Sequence, residues 1–319
     1  MNMREIGHSG IKVSPIALGT WAVGGGPWWG ATDDDASVAA IHAALDNGVN
    51  LVDTAPTYYF GHSEEVVGRA LEDRRDKAVL ATKCGLPWDG DRGPVWYEQD
   101  GKTVRSCVEP ASIRRELEQS LRRLRTDYVD LYYAHTDDPN TPLEETMEAF
   151  HRLIEKGKVR HLGGSNYDTW RFSEANAVAE TPYTVMQQWF TYLQARGDKA
   201  PQYIFNEYTN RERLRYLEAK NIPLVAYSCL AKGGYANEDR LPEELVAGER
   251  LAVLQNMAKE KGITASALAV AWMVNLHRCE GFPRVIPLFG SSQVAHFVSN
   301  LIGADLQLTD QELQQLNNG

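Results

Sequence analysis

Short apolar runs recur along this chain, and each is followed by a longer stretch with helical period. The runs span residues 16–18, 51–53, 78–82, 128–133, 159–163, 185–187, 224–227 and 285–287. Runs this short and this continuously apolar suit strands buried on both faces of a parallel sheet. Between them the period changes. Ile113, Leu117, Leu121 and Leu124 recur every three or four residues, which places all four on one face of a helix. Thr141-Pro142-Leu143-Glu144 reads as a capping box with proline at the first helical position. Ser63 reads as the cap of a helix carrying Val66, Val67 and Leu71. Thr309 and Glu312 form a second capping box, opening a short C-terminal helix. Residues 3–13, broken by His8-Ser9-Gly10, predict a β-hairpin that covers one end of whatever the strands build.

Strands alternating with helices eight times over 319 residues predict an α/β fold, a (β/α)8 TIM barrel filling residues 1–319 as one domain. A doubly wound sheet is the alternative, but no G-x-G-x-x-G follows the first strand. The run Gly24-Gly25-Gly26 leads into Pro27-Trp28-Trp29 and lacks that spacing. Two long loops, residues 84–107 and 237–248, interrupt the rhythm. In a barrel they belong to the catalytic face, because active sites occupy the C-terminal ends of the strands.

Composition narrows the class. A hydrophobic fraction of 43% supplies a sizeable core. The net charge of −10 argues against nucleic acid or an anionic membrane as partner, since both need clustered Lys and Arg. Cys84, Cys107, Cys229 and Cys279 lack the paired spacing of a disulfide framework or a zinc site, so no metal is expected. Residues 1–10 have no apolar signal-peptide core, and no run approaches membrane-spanning length. A cytoplasmic enzyme acting on a small molecule is the simplest reading; nothing specifies an oligomeric state.

Four polar residues stand where the apolar runs end: Asp53 and Tyr58 in N-L-V-D-T-A-P-T-Y, Lys83 in A-V-L-A-T-K, and His135 in V-D-L-Y-Y-A-H. Each has a plain alternative. Asp53 suits an Asx turn, Tyr58 and Tyr59 suit surface aromatics, Lys83 alone suits a solvated cation, and His135 alone suits a buried hydrogen-bonded histidine. Gathered at one sheet edge, they suit proton transfer to a carbonyl. Tyrosine ionises near pH 10, and a neighbouring ammonium favours its phenolate and so tunes it toward neutral pH. Asp53 can hold that lysine, and His135 can donate to the substrate oxygen. Two other chemistries use the same residues. Lys83 could be a Schiff-base nucleophile, though a lysine paired with Asp53 stays protonated. His135 with Asp137 and Asp138 could bind a metal, though no second histidine lies nearby.

These residues make the chain resemble the aldo-keto reductase family, in the branch of bacterial enzymes related to potassium-channel β-subunits. The resemblance runs through L-G-T-W, D-T-A-P-T-Y-Y-F-G-H-S-E-E, A-T-K, T-D-Y-V-D-L-Y-Y-A-H, G-G-S-N-Y, V-A-Y-S-C-L and V-I-P-L-F-G-S-S. It implies nicotinamide-dependent reduction of a small aldehyde, ketone or sugar carbonyl, with Asp53, Tyr58, Lys83 and His135 as the catalytic tetrad. A nucleotide-sensing subunit with little turnover is the alternative within the same fold. The resemblance further implies that Ser165, Asn166 and Gln187 hold the carboxamide and that Tyr227 stacks on the nicotinamide. Ser228, Leu230 and Gly233 would cross the pyrophosphate. Gly290, Ser291, Ser292, His296 and Asn300 would hold the adenosine end, and Thr20, Trp21 and Asp53 would also line the cofactor site. Trp21, Trp28, Trp29, Trp88 and Trp96 would wall the substrate pocket. One departure stands out: the family usually has glycine after the catalytic tyrosine, where this chain has Tyr59. Another is that residues 290–300 contain no Lys or Arg, with His296 near the expected arginine. NADP(H) is expected slightly ahead of NAD(H), with weak discrimination.

Overall fold

A computed structural model describes residues 1–25, 33–86, 107–196, 208–290 and 294–318, with residues 96–99 and 102–105 described as backbone only. The chain opens with an antiparallel hairpin, β1 (Arg4–Glu5) and β2 (Lys12–Val13). Then β3 (Ala17–Gly19), β4 (Leu51–Asp53) and β5 (Val79–Cys84) alternate with α1 (Asp34–Asp46) and α2 (His62–Leu71). After β5 the long loop contains an accessory antiparallel hairpin, β6 (Trp96–Gln99) and β7 (Lys102–Arg105). Next come α3 (Pro110–Leu124), β8 (Val129–Ala134), α4 (Leu143–Glu155), β9 (Val159–Ser165), α5 (Thr169–Val178) and β10 (Val185–Trp189). The short strand β11 (Gln194–Ala195) precedes α6 (Arg211–Ala219) and β12 (Leu224–Tyr227). It pairs with β13 (Leu245–Val246), which lies in the second long loop. The chain ends with α7 (Gly248–Glu260), α8 (Ala265–Asn275), β14 (Val285–Phe289), α9 (Val294–Asp305) and α10 (Asp310–Asn318).

Eight of these strands close a barrel in the order β3-β4-β5-β8-β9-β10-β12-β14, with β14 pairing back to β3. All eight apolar runs are its strands. Several continue past the apolar run toward their C-terminal ends, because the ladder carries polar residues along: Lys83 pairs with Tyr133 and Gln187 with Ser165. A polar side chain at such a position is held in register by neighbours on both sides. The barrel interior is filled by Ala17, Leu51, Ala81, Leu131, Tyr133, Val185, Val225, Ile286 and Leu288. Ile6 and Val13 join this cluster, so the N-terminal hairpin caps the bottom as its turn predicted. Gly7 makes the close fit there: its φ is +53°, and a Cβ would lie 2.6 Å from the Thr184 carbonyl oxygen.

The helix ends divide into one confirmed cap and two corrections. Thr309 and Glu312 form the reciprocal box, with Thr309 N donating to Glu312 at 2.8 Å and Glu312 N donating to Thr309 Oγ1 at 3.2 Å. Ser63 does not cap α2. It lies inside that helix, the cap is Gly61, and the Ser63 hydroxyl donates to the Thr20 carbonyl at 2.8 Å. Thr141 makes no capping box either. Pro142 is the cap residue of α4, and the Thr141 hydroxyl donates to Asp138 at 2.8 Å. In both cases a hydroxyl suited to capping is taken by another acceptor, distant in sequence for Ser63 and three residues back for Thr141. Ile113, Leu117, Leu121 and Leu124 are all buried on α3, as their spacing requires.

Candidate active site

Asp53, the last residue of β4, is braced from its backbone outward. The amide and hydroxyl of Thr20 both donate to its carbonyl at 3.0 Å. Lys83 reaches it from β5. The Lys83 Nζ donates to Asp53 Oδ1 at 2.5 Å, to the Thr54 carbonyl at 2.8 Å and to the Tyr58 hydroxyl at 3.2 Å. Three acceptors use all three ammonium protons of a side chain with no solvent exposure. The other Asp53 oxygen accepts from Gln187 Nε2 at 2.8 Å. His135 follows β8, and its backbone amide donates to the Cys84 carbonyl at 2.7 Å. Its ring stands edge-on to Tyr58, with centroids 6.2 Å apart. Among the described residues, His135 Nδ1 is buried without a hydrogen-bond partner.

The turn presenting Tyr58 is unusual. Tyr59 (φ +48°, ψ +47°) and Phe60 (φ +56°, ψ +38°) are both left-handed, and Gly61 follows at φ +86°. For a residue with a Cβ this conformation costs roughly 1–2 kcal/mol. Tyr59 thus holds a conformation that glycine adopts more readily, at the position where the family usually has glycine. Its ring is 39% exposed and packs edge-on against His62, with centroids 6.0 Å apart. Tyr58, not Tyr59, meets the lysine.

The electrostatics differ from the sequence expectation in one respect. Burial pushes the Tyr58 hydroxyl pKa up, and although Lys83 pulls it down, the net direction is upward. Tyr58 is therefore a protonated phenol throughout the neutral range. Burial acts to lower the Lys83 pKa, but Asp53 and Tyr58 more than offset this and hold it above its ordinary value. Burial, and secondarily the Lys83 charge, holds His135 well below its ordinary value, so its ring is neutral and carries one N–H.

The Aldo/keto reductase family model matches residues 15–318. The chain belongs to the aldo/keto reductase family. Aldo-keto reductase YhdN of Bacillus subtilis is 37% identical over 73% of this chain and 63% of that relative. The NADH-specific methylglyoxal reductase of Escherichia coli is 39% identical over 53% of each chain. Both alignments span less than two thirds of those relatives. A crystal structure of an aldo/keto reductase from Klebsiella pneumoniae, in complex with NADP and acetate, superposes with a TM-score of 0.71 at 29% identity. That superposition covers 96% of this chain and 91% of the other. Both nicotinamide cofactors occur among these similar proteins: the Escherichia coli relative is NADH-specific, and the Klebsiella structure holds NADP.

Beside Asp53, Lys83 and His135 the strand ends carry an aromatic ring and amide side chains. Asn166 (φ +55°) donates to the His135 carbonyl at 2.8 Å and to Ser165 Oγ at 3.1 Å. It accepts from the Tyr227 hydroxyl at 2.7 Å. Ser165, Asn166, Gln187 and Tyr227 are thus brought together beside Asp53 and His135, a donor set and a ring whose chemistry fits a nicotinamide carboxamide. Sequence reading missed Trp189, whose ring lies 6.4 Å from that of Tyr227 and 4.1 Å from that of Tyr208. Its signal was present: it stands two residues beyond Gln187, on the same face of β10. Beyond β12, Ser228, Ala231, Lys232 and Gly233 all have positive φ, Leu230 is half-buried, and the Arg240 guanidinium lies beside Gly233.

Other sites lie farther out. Gly290 packs on Gly19, where a Cβ would lie 2.1 Å from the Gly19 carbonyl oxygen. His296 is exposed in the first turn of α9, and Asn300 accepts from the Thr264 hydroxyl at 3.4 Å. Trp21 is 45% exposed. Ser291, Ser292, Trp28, Trp29 and Trp88 lie outside the described residues, and Trp96 is described only as the start of β6. Asp137 is taken by Arg171, at 2.8 and 3.0 Å, and Asp138 by Asn140 and Thr141. Among the described residues no helix is long and apolar enough to cross a membrane.

Proposed function

We propose that this single-domain cytoplasmic barrel reduces aldehydes or ketones to alcohols, taking the proton from Tyr58. One observation carries the reading: a fully buried ammonium bonded at once to Asp53, the Thr54 carbonyl and the Tyr58 hydroxyl. The bound nicotinamide supplies the hydride, and Ser165, Asn166, Gln187 and Tyr227 are the residues that would hold it. The chain's own part is proton movement and charge stabilisation. Neutral His135 donates its N–H to the carbonyl oxygen and orients it. Tyr58 gives its proton to that oxygen as negative charge develops, and Lys83 stabilises the phenolate left behind. A lysine held protonated by three acceptors is a poor nucleophile, which argues against Schiff-base chemistry.

A panel of aldehydes, ketones and sugars assayed with NADPH and NADH tests this. Turnover on some of them is expected; tight cofactor binding without turnover on any would favour the nucleotide-sensing reading. The pH profile gives a sharper check. Because the His135 pKa is depressed and the Tyr58 pKa raised, reduction should be flat from about pH 6 to about pH 8 and fall only in alkali. A limb near pH 6.5 would mean that His135 titrates during turnover and is not the neutral donor.

For the cofactor we propose weak discrimination, with NADP(H) slightly ahead. No Lys or Arg follows β14 through Asn300, while the superposable Klebsiella enzyme carries NADP. His296→Arg should strengthen NADPH binding relative to NADH. The position is exposed, so screening limits the gain to about tenfold at most. Titration by tryptophan fluorescence measures both affinities; an unchanged ratio would place the 2′-phosphate elsewhere.

A further inference from the structure

The turn that presents Tyr58 carries two left-handed residues, Tyr59 and Phe60, and Phe60 is 64% exposed. Such a turn persists only where its surroundings over-determine it. The anchoring lies directly after it, in the first turn of α2. Ser63 and Glu64 have no solvent exposure there. Glu64 reaches off its own helix in two directions. Thr82, the neighbour of Lys83 on β5, donates its hydroxyl to Glu64 Oε1 at 2.6 Å. Arg123, near the end of α3, donates from Nε to Glu64 Oε2 at 2.6 Å. The same guanidinium lies against the turn itself: a Cβ on Gly61 would fall 2.6 Å from Arg123 Nε. The close approach extends along the helix, since a Cβ on Gly68 would fall 2.4 Å from the Arg123 carbonyl oxygen.

One carboxylate therefore joins the turn carrying Tyr58 to the strand carrying Lys83, and one guanidinium closes it from outside. Serving the helix dipole does not require this burial. Glu65, the next residue, occupies the same turn with its side chain 58% exposed. Burying a carboxylate is costly unless it is paired and hydrogen-bonded, and here it is both. We propose that Glu64 and Arg123 are positioning residues for the proton donor: their ion pair, with its carboxylate fully buried, fixes the Tyr58–Gly61 turn against β5 and holds the Tyr58 hydroxyl in reach of Lys83. The inference rests on Tyr58 being that donor. A displacement of about 1 Å in a reacting group can cost about 100-fold in rate, so loosening the pair reaches the chemistry without touching substrate.

The test compares Arg123→Met, Arg123→Lys, Tyr58→Phe and the Tyr58→Phe/Arg123→Met double variant by steady-state kinetics, pH–rate profile and NADPH titration. In Arg123→Met, kcat should fall about 10- to 100-fold, while KM and NADPH affinity stay unchanged. Its alkaline limb should move to higher pH, because a more distant Lys83 lowers the Tyr58 pKa less. Arg123→Lys should recover part of the loss, and it carries the same comparison should Arg123→Met not fold. Added to Tyr58→Phe, Arg123→Met should cost nothing further, since the group it positions is gone. Full additivity in the double variant overturns the proposal. So does a loss explained by a smaller folded fraction with an unmoved pH profile. Near-normal activity of Tyr58→Phe alone would instead overturn the donor assignment, and this inference with it.

Discussion

Tyr58→Phe is expected to cut carbonyl reduction by about 10²- to 10⁴-fold while cofactor affinity is retained. Tyr59→Phe is expected to leave turnover near normal. The two phenols are adjacent in sequence, and glycine more usually stands at the second position in this family. The backbone separates them. Tyr58 comes within 3.2 Å of the Lys83 ammonium. Tyr59 sits at φ +48° with its ring turned toward His62 and solvent. Only the first can leave its negative charge beside a buried cation after giving up a proton. Removing one hydroxyl from Tyr58 spares the edge-on ring contact with His135, so binding survives while the proton is lost. Steady-state kinetics of both variants with one good substrate decide it; a dead Tyr59→Phe beside an active Tyr58→Phe would reverse the assignment.

What the sequence revealed, and what it hid, follow from the range of each interaction. The eight barrel strands were legible because a strand buried on both faces is apolar at consecutive positions, and no distant residue changes that. Asp53, Lys83 and His135 were legible because polar residues ending such runs have few places to go. The caps at Ser63 and Thr141 were not, because each hydroxyl has another acceptor: for Ser63 the Thr20 carbonyl, which only the fold brings near, and for Thr141 the carboxylate of Asp138 three residues earlier. The upward Tyr58 pKa was hidden for a similar reason. The pairing with Lys83 could be guessed, but the burial that outweighs it could not. Glu64 is one of two adjacent acidic residues in the first turn of α2. Its partner Arg123 lies 59 positions away, and nothing local to either residue marks the pair.

Lys83→Met is expected to abolish most reduction, again by about 10²- to 10⁴-fold, with no covalent adduct involved at any stage. Methionine roughly keeps the volume and removes the charge. The phenolate of Tyr58 then forms in a buried site beside Asp53 with no cation to stabilise it, and both burial and Asp53 already push that pKa up. The change should also weaken the fold. Asp53 is 2% exposed and would lose its ion-pair partner, and breaking a buried pair on one side costs about 3–5 kcal/mol. Adding Asp53→Asn should recover part of that stability and none of the activity, which separates the two roles of the lysine. The direction with pH is fixed as well. The folded-state pKa of Lys83 is raised, so its contribution to stability is full below its ordinary value of about 10.4 and is lost as pH rises through the folded value. The wild-type protein should lose this contribution only in strong alkali, and Lys83→Met should lack that alkaline loss. Urea unfolding of the three proteins at neutral and alkaline pH, alongside turnover, measures all of this. Near-normal activity of Lys83→Met at neutral pH would sink the electrostatic account, and a borohydride-trapped lysine adduct in the wild type would replace it with Schiff-base chemistry.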